Sequence, residues 1–197
     1  MIVFRHAARL TGTGALLRQI EKAQTCVELP EGGLRLLLAV AAWESAVADY
    51  YGTNHDADEP PCAAARRLLL LAGQAFLGQA FPGQAAASAG WAAAWRAVVA
   101  CRPPAGAPLR VAPPEGFCFY GLHPNRYAEA AGQWARRHPP EAGWPAVVIG
   151  LRTIGSALAA VVAATLVSRG HAVRLLTLRP RGAPEDHDQA AAGEGPQ

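Results

Sequence analysis

Residues 145–181 read PAVVIGLRTIGSALAAVVAATLVSRGHAVRLLTLRPR, and they hold the densest chemistry-bearing pattern in the chain. Gly150, Leu151, Arg152, Thr153, Ile154 and Gly155 form a glycine-bracketed loop, and Ser156 follows at the head of an alanine-rich segment. A loop of this kind offers backbone N–H groups and a helix N-terminus to an anion. Arg152 adds a cation, the Ser156 hydroxyl adds a donor, and Arg179 and Arg181 stand just beyond the next apolar run. These are phosphate-binding residue types, and an anion site is the first expectation.

The elements that must position them follow from the surrounding pattern. Residues 146–149 are a short β-branched run, Ser156–Ser168 contains no Gly or Pro, Arg169-Gly170 is a helix stop, and residues 172–178 return as an apolar strand. The unit is strand, helix, strand, with parallel strands joined by a crossover.

Upstream, residues 1–101 read as helical. Helices are expected over 15–23, 33–51, 62–80 and 85–101, with no strand among them. In the second, Leu34, Leu37, Leu38, Ala41 and Ala42 recur at helical spacing, with Arg35, Glu44 and Asp49 assigned to the other side. Trp43, Trp91 and Trp95 are read as core anchors. Residues 102–114 carry five prolines and read as a semi-rigid linker between this helical region and an α/β part spanning 115–182. There, 116–122 (GFCFYGL) reads as an aromatic strand, His123 as a turn residue and 126–138 as a helix. The tail, 183–197, has lost every apolar residue except alanine and reads as disordered. The fold class expected is α + α/β.

Composition narrows the function classes. Apolar residues make up 51% of the 197, and the formal charge of +3 is spread over 17 arginines and Lys22, so neither disorder nor a nucleic-acid surface is indicated. The N-terminus lacks the apolar core of a signal peptide, and no apolar run is long enough for a bilayer. Cys26, Cys62, Cys101 and Cys118 are scattered without a paired motif and read as free thiols, so a cytoplasmic location is expected. Asn54, His55, Asp56, Asp58 and Glu59 are metal-ligand types, but they read as a solvated acidic turn. No metal is assigned there.

Two family resemblances compete for the loop. The run from Ile149 onward resembles the opening of a dinucleotide-binding dehydrogenase, but the slot of the middle glycine in GxGxxG is Arg152, and no acid follows the second strand. VVIGLRTIGSALA more closely resembles the pyrophosphate loop of the type I phosphoribosyltransferases. EGFCFYGLHPNRYAEAA before it and LRPRGAPED after it are similar to an uncharacterised bacterial group of that kind, over about residues 115–186. The resemblance implies transferase (glycosyltransferase-class) chemistry in nucleotide metabolism. It implies that Gly150 to Ser156, with Arg179 and Arg181, hold phosphoribosyl pyrophosphate or a related phosphorylated ribose accompanied by Mg²⁺. It also implies, in that family, a strained non-proline cis peptide within the loop.

The third-strand signature of that family, two adjacent acids followed by Thr or Ser and Gly after an apolar run, is missing. The single chain is therefore expected to be incomplete for catalysis. A homo-oligomer or a partner chain completing the sheet is expected, and exposed apolar surface on the second strand would mark the place. The alternatives are an NAD(P)-binding oxidoreductase fragment and a non-enzymatic helical interaction scaffold.

Overall fold

The computed structural model describes residues 8–29, 31–51, 59–78, 85–141 and 143–179, with the side chains of 85–88 left aside. Arg181, the acidic turn 52–58 and the tail lie outside the described residues. The element order is β1 (Arg9–Thr11), α1 (Thr13–Thr25), α2 (Gly32–Tyr51), α3 (Pro60–Phe76), α4 (Ala85–Ala100), β2 (Leu109–Val111), α5 (Glu115–Cys118), α6 (Pro124–Arg137), β3 (Ala146–Leu151), α7 (Ser156–Ser168) and β4 (Val173–Leu178).

The expected parallel strand–helix–strand unit is present. β3 pairs with β4 in parallel register, from Ala146 opposite Val173 to Leu151 opposite Leu178. α7 is apolar on every side, as a helix buried on every side should be, and ten of its residues from Ser156 to Leu166 are buried. It packs against β3 and β4 on one side and α3 on another, while α6 lies along it. Gly73 of α3 permits the closest helix–helix approach, since a Cβ there would sit 2.5 Å from the Ala160 carbonyl oxygen. The core centred on Trp43, Leu68 and Leu69 runs without interruption into Ala160, Val161 and Leu175. Full burial of each large apolar side chain contributes roughly 1.5–3 kcal/mol.

Three expectations about elements are corrected. Residues 116–122 do not form a strand. Glu115–Cys118 is a single helical turn, closed by the Phe119 N–H on the Glu115 carbonyl at 2.9 Å, and Gly116 lies against the Ile154 carbonyl, where an added Cβ would stand 2.1 Å from the oxygen. Within the first hundred residues there is a strand, β1, paired antiparallel with β2 inside the proline-rich stretch. Neither strand exceeds three residues, and each draws its pairing from tertiary contact rather than from a pattern of its own. The third correction concerns Glu44, which is fully buried rather than on a solvent face. Trp43 and Trp91 are buried and Trp95 is half-buried, as core anchoring requires. His123 is the N-cap of α6, its Nδ1 accepting the Asn125 N–H at 3.3 Å, and all four cysteines are free.

Candidate functional site

The glycine loop lies at the carboxyl ends of β3 and β4, the side of a parallel sheet at which ligands usually bind. The ladder carries through into the loop, with the Arg152 N–H donating to the Leu178 carbonyl at 2.7 Å. Gly155 N–H then closes back on the Leu151 carbonyl at 2.6 Å. Gly150 is required by packing, because a Cβ would meet the Ala159 Cβ and the Gly155 oxygen at 2.8 Å each. Thr153 takes a left-handed φ of 69°, an unfavourable setting for a β-branched residue. Its carbonyl is held by the Glu115 N–H at 2.8 Å. The peptide bonds of the described residues are all trans, so the strain of the loop resides in Thr153.

Arg152 points inward. Its side chain is 2% exposed, and Nε stands 2.9 Å from Asp49 Oδ1, a close ion pair without the alignment of a hydrogen bond. Nη1 donates to the Thr177 carbonyl at 3.3 Å. Asp49 also receives Arg179, whose Nε reaches the two carboxylate oxygens at 2.8 and 2.9 Å while Nη2 lies 2.6 Å from Oδ2. One carboxylate thus ties the loop and the end of β4 to α2. The Ser156 hydroxyl is also turned into the protein, 3.1 Å from that of Ser45.

Beneath these residues Glu44 accepts a short hydrogen bond from the Thr177 hydroxyl and a longer one, 3.5 Å, from Ser45. Burial pushes the Glu44 carboxyl above its ordinary range. The Thr177 hydrogen bond, the charges of Arg152 and Arg66, and Ser156 oppose that rise without cancelling it. The polar chain Ser156, Ser45, Glu44, Thr177, Arg152 and Asp49 therefore braces α7, β4 and the loop against α2.

Open to solvent beside this brace is a cleft of about 380 Å³ lined by Ala46, Asp49, Tyr50, Pro108, Arg110 and Arg179. It brings two arginines together with one carboxylate that Arg152 already partly neutralises, leaving cationic charge in excess. Such a cleft suits an anion.

Of the described residues expected to contact a ligand, Arg179 alone lines this cleft; Gly150, Leu151, Ile154 and Gly155 line a separate apolar groove between β3 and α6, Thr153 lines neither, and Arg152 and Ser156 turn their side chains inward. Glu44, Ser45, Asp49, Tyr50 and Arg110 were missed as site residues. A signal existed for Glu44, which sits among Val40, Ala41, Val47 and Ala48, on a helix too apolar to have a solvent side. For Arg110 there was none, because it is the packing of β2 against α2 that brings it to the cleft it shares with Arg179.

The donor set does not fit a protein-held Mg²⁺, which seeks one or two free carboxylates. Asp49 is engaged by two guanidinium groups and Glu44 by hydroxyls, and among the described residues no group of three His, Cys, Asp or Glu converges. No described helix is long and apolar enough to cross a membrane. Comparison of the chain with protein-family models, with curated proteins and with solved structures gave no match.

Proposed function

We propose that the chain binds a phosphorylated ribose, phosphoribosyl pyrophosphate or a relative of it, at the carboxyl ends of β3 and β4. The observation that carries this reading is the convergence of Arg110 and Arg179 on one cleft at the end of β4. Phosphate oxygens would take the two guanidinium groups, which are charge-assisted donors. Arg152 is a positioning residue in this scheme. It fixes the loop and holds Asp49 against Arg179, and it touches no ligand. Phosphoribosyl transfer is not assigned to this chain alone, because its adjacent acids, Glu185-Asp186, do not follow an apolar run that could place them on the ribose hydroxyls.

Calorimetric titration of the purified chain with phosphoribosyl pyrophosphate, with and without Mg²⁺ and beside NADPH, tests the reading. Saturable binding should weaken at least about tenfold in Arg110→Ala, one lost charge-assisted contact. Binding of NADPH alone, or of neither, would overturn it. A second reading, a protein-interaction scaffold, is favoured by a different observation: the outer residues of β3, Val147, Ile149 and Leu151, are apolar and are not covered by any described residue.

A further inference from the structure

Among the described residues, β3 and β4 form a two-stranded parallel sheet. Sheets of this type normally have helices on both faces and neighbours along their edges. Here the Ala146 and Arg152 N–H groups donate to Ala172 and Leu178 at 2.8 and 2.7 Å, so the period of the ladder turns Val148 and Gly150 toward β4 as well. Val147 and Ile149 must then direct their N–H and C=O groups away from β4, to the open edge. The two residues are each 54% exposed and Leu151 is 44% exposed. Exposed apolar surface was expected on the second strand, β4, whereas it is β3 that carries it.

Beside this edge runs a groove of about 790 Å³, walled on one side by β3 and on the other by α6. Among the described residues, no charged one lines it. Tyr127, Ala130 and Trp134 present a helical stripe to it, and Trp134 is 44% exposed. α6 packs along α7 and makes no comparable contact with β3. It therefore occupies the position of a helix covering a strand that would lie next to β3.

We propose that this slot receives an extended, uncharged apolar segment of another polypeptide as an added strand. It would hydrogen-bond to Val147 and Ile149 and cover Tyr127, Ala130 and Trp134. Strand addition to an open edge draws affinity from main-chain bonds and specificity from alternate side chains. An uncharged lining disfavours a charged occupant, which would lose its hydration with no partner in return. A second copy fits poorly. Two-fold antiparallel pairing of β3 with itself would bring the partner's α7 to the side of the sheet that α6 already fills.

The test uses the full chain, ¹⁵N-labelled, and an eight-residue peptide of alternating valine and threonine with a terminal lysine at each end. The expected result is at least about tenfold slower amide exchange at Val147 and Ile149, with a blue shift of Trp134 emission. Ile149→Pro removes an edge donor that the fold does not use, and should abolish protection while leaving the circular dichroism unchanged. Ala130→Glu, on the exposed side of α6, should do the same by charging the slot. Protection absent at millimolar peptide would overturn the proposal. So would protection already present in the peptide-free monomer, where the chain fills its own slot, or protection that tracks dimer formation in sedimentation. Because the readout is confined to β3 and α6, its failure is separable from failure of phosphate binding at Arg110 and Arg179.

Discussion

Replacing Arg152 by alanine separates a ligand-contacting arginine from a structural one. Removing one member of a buried ion pair costs roughly 3–5 kcal/mol when the remaining charge is left alone. Asp49 is not left alone, since Arg179 still reaches it at 2.6 to 2.9 Å and its side chain is 17% exposed. The truncation also empties the space of a side chain that is only 2% exposed and removes a favourable charge from beside Glu44. The net destabilisation is therefore expected at about 2–4 kcal/mol, at or below the lower half of the ion-pair range. That corresponds to a melting-temperature drop of roughly 5–15 °C for a chain of this size. Urea unfolding followed by circular dichroism measures the difference at constant m-value. Arg152→Met, which fills the volume without the charge, should recover part of the loss. A change below about 0.5 kcal/mol with a large loss of phosphoribosyl pyrophosphate affinity would refute the argument, because it would mean that the guanidinium faces a ligand.

Further outcomes follow from the same geometry. Glu44 titrates above its ordinary value when folded, so the folded state binds more protons than the unfolded one between the two values, and stability should fall as pH rises through that window. Glu44→Gln should flatten this slope in urea midpoints measured from pH 4 to 8, and an unchanged slope would assign it to another group. Gly73→Ala should cost about 1–3 kcal/mol by overpacking, because the added methyl meets Ala160 backbone rather than a movable side chain. Thermal unfolding is the check, and a neutral substitution would mean that α3 and α7 separate easily. Thr153→Gly should stabilise by about 1 kcal/mol by relieving the left-handed backbone, with the Glu115 N–H contact to its carbonyl preserved. A destabilised variant would show that the threonine side chain has a role of its own.

The βαβ unit was legible because its signals are local. A β-branched run, a glycine-bracketed turn and a segment free of Gly and Pro each restrict the backbone within a few residues, and β3, α7 and β4 appear where those restrictions place them. The same holds for α2, α3, α4 and α6, whose ends fall within a few residues of caps, prolines or loops visible in the sequence. Residues 116–122 misled because aromatic and glycine content is compatible with either an extended or a turned backbone. In the fold this segment turns helically and packs on the loop, with the Glu115 N–H on the Thr153 carbonyl and Gly116 against Ile154. β1 and β2 are too short to announce themselves, and nearly a hundred residues separate them.

The sequence by itself determined that an arginine would sit in a glycine loop between a buried strand and a buried helix. It did not determine which way that side chain would turn. Only the packing of α2 across the loop, with Glu44 and Asp49 on the approaching face, drew Arg152 and Ser156 inward and left Arg179 and Arg110 at the surface. The physical reason is that backbone conformation is set largely by neighbours in sequence, whereas the direction of a charge is set by the nearest opposite charge in space, and that partner lies 103 residues away along the chain (152 − 49).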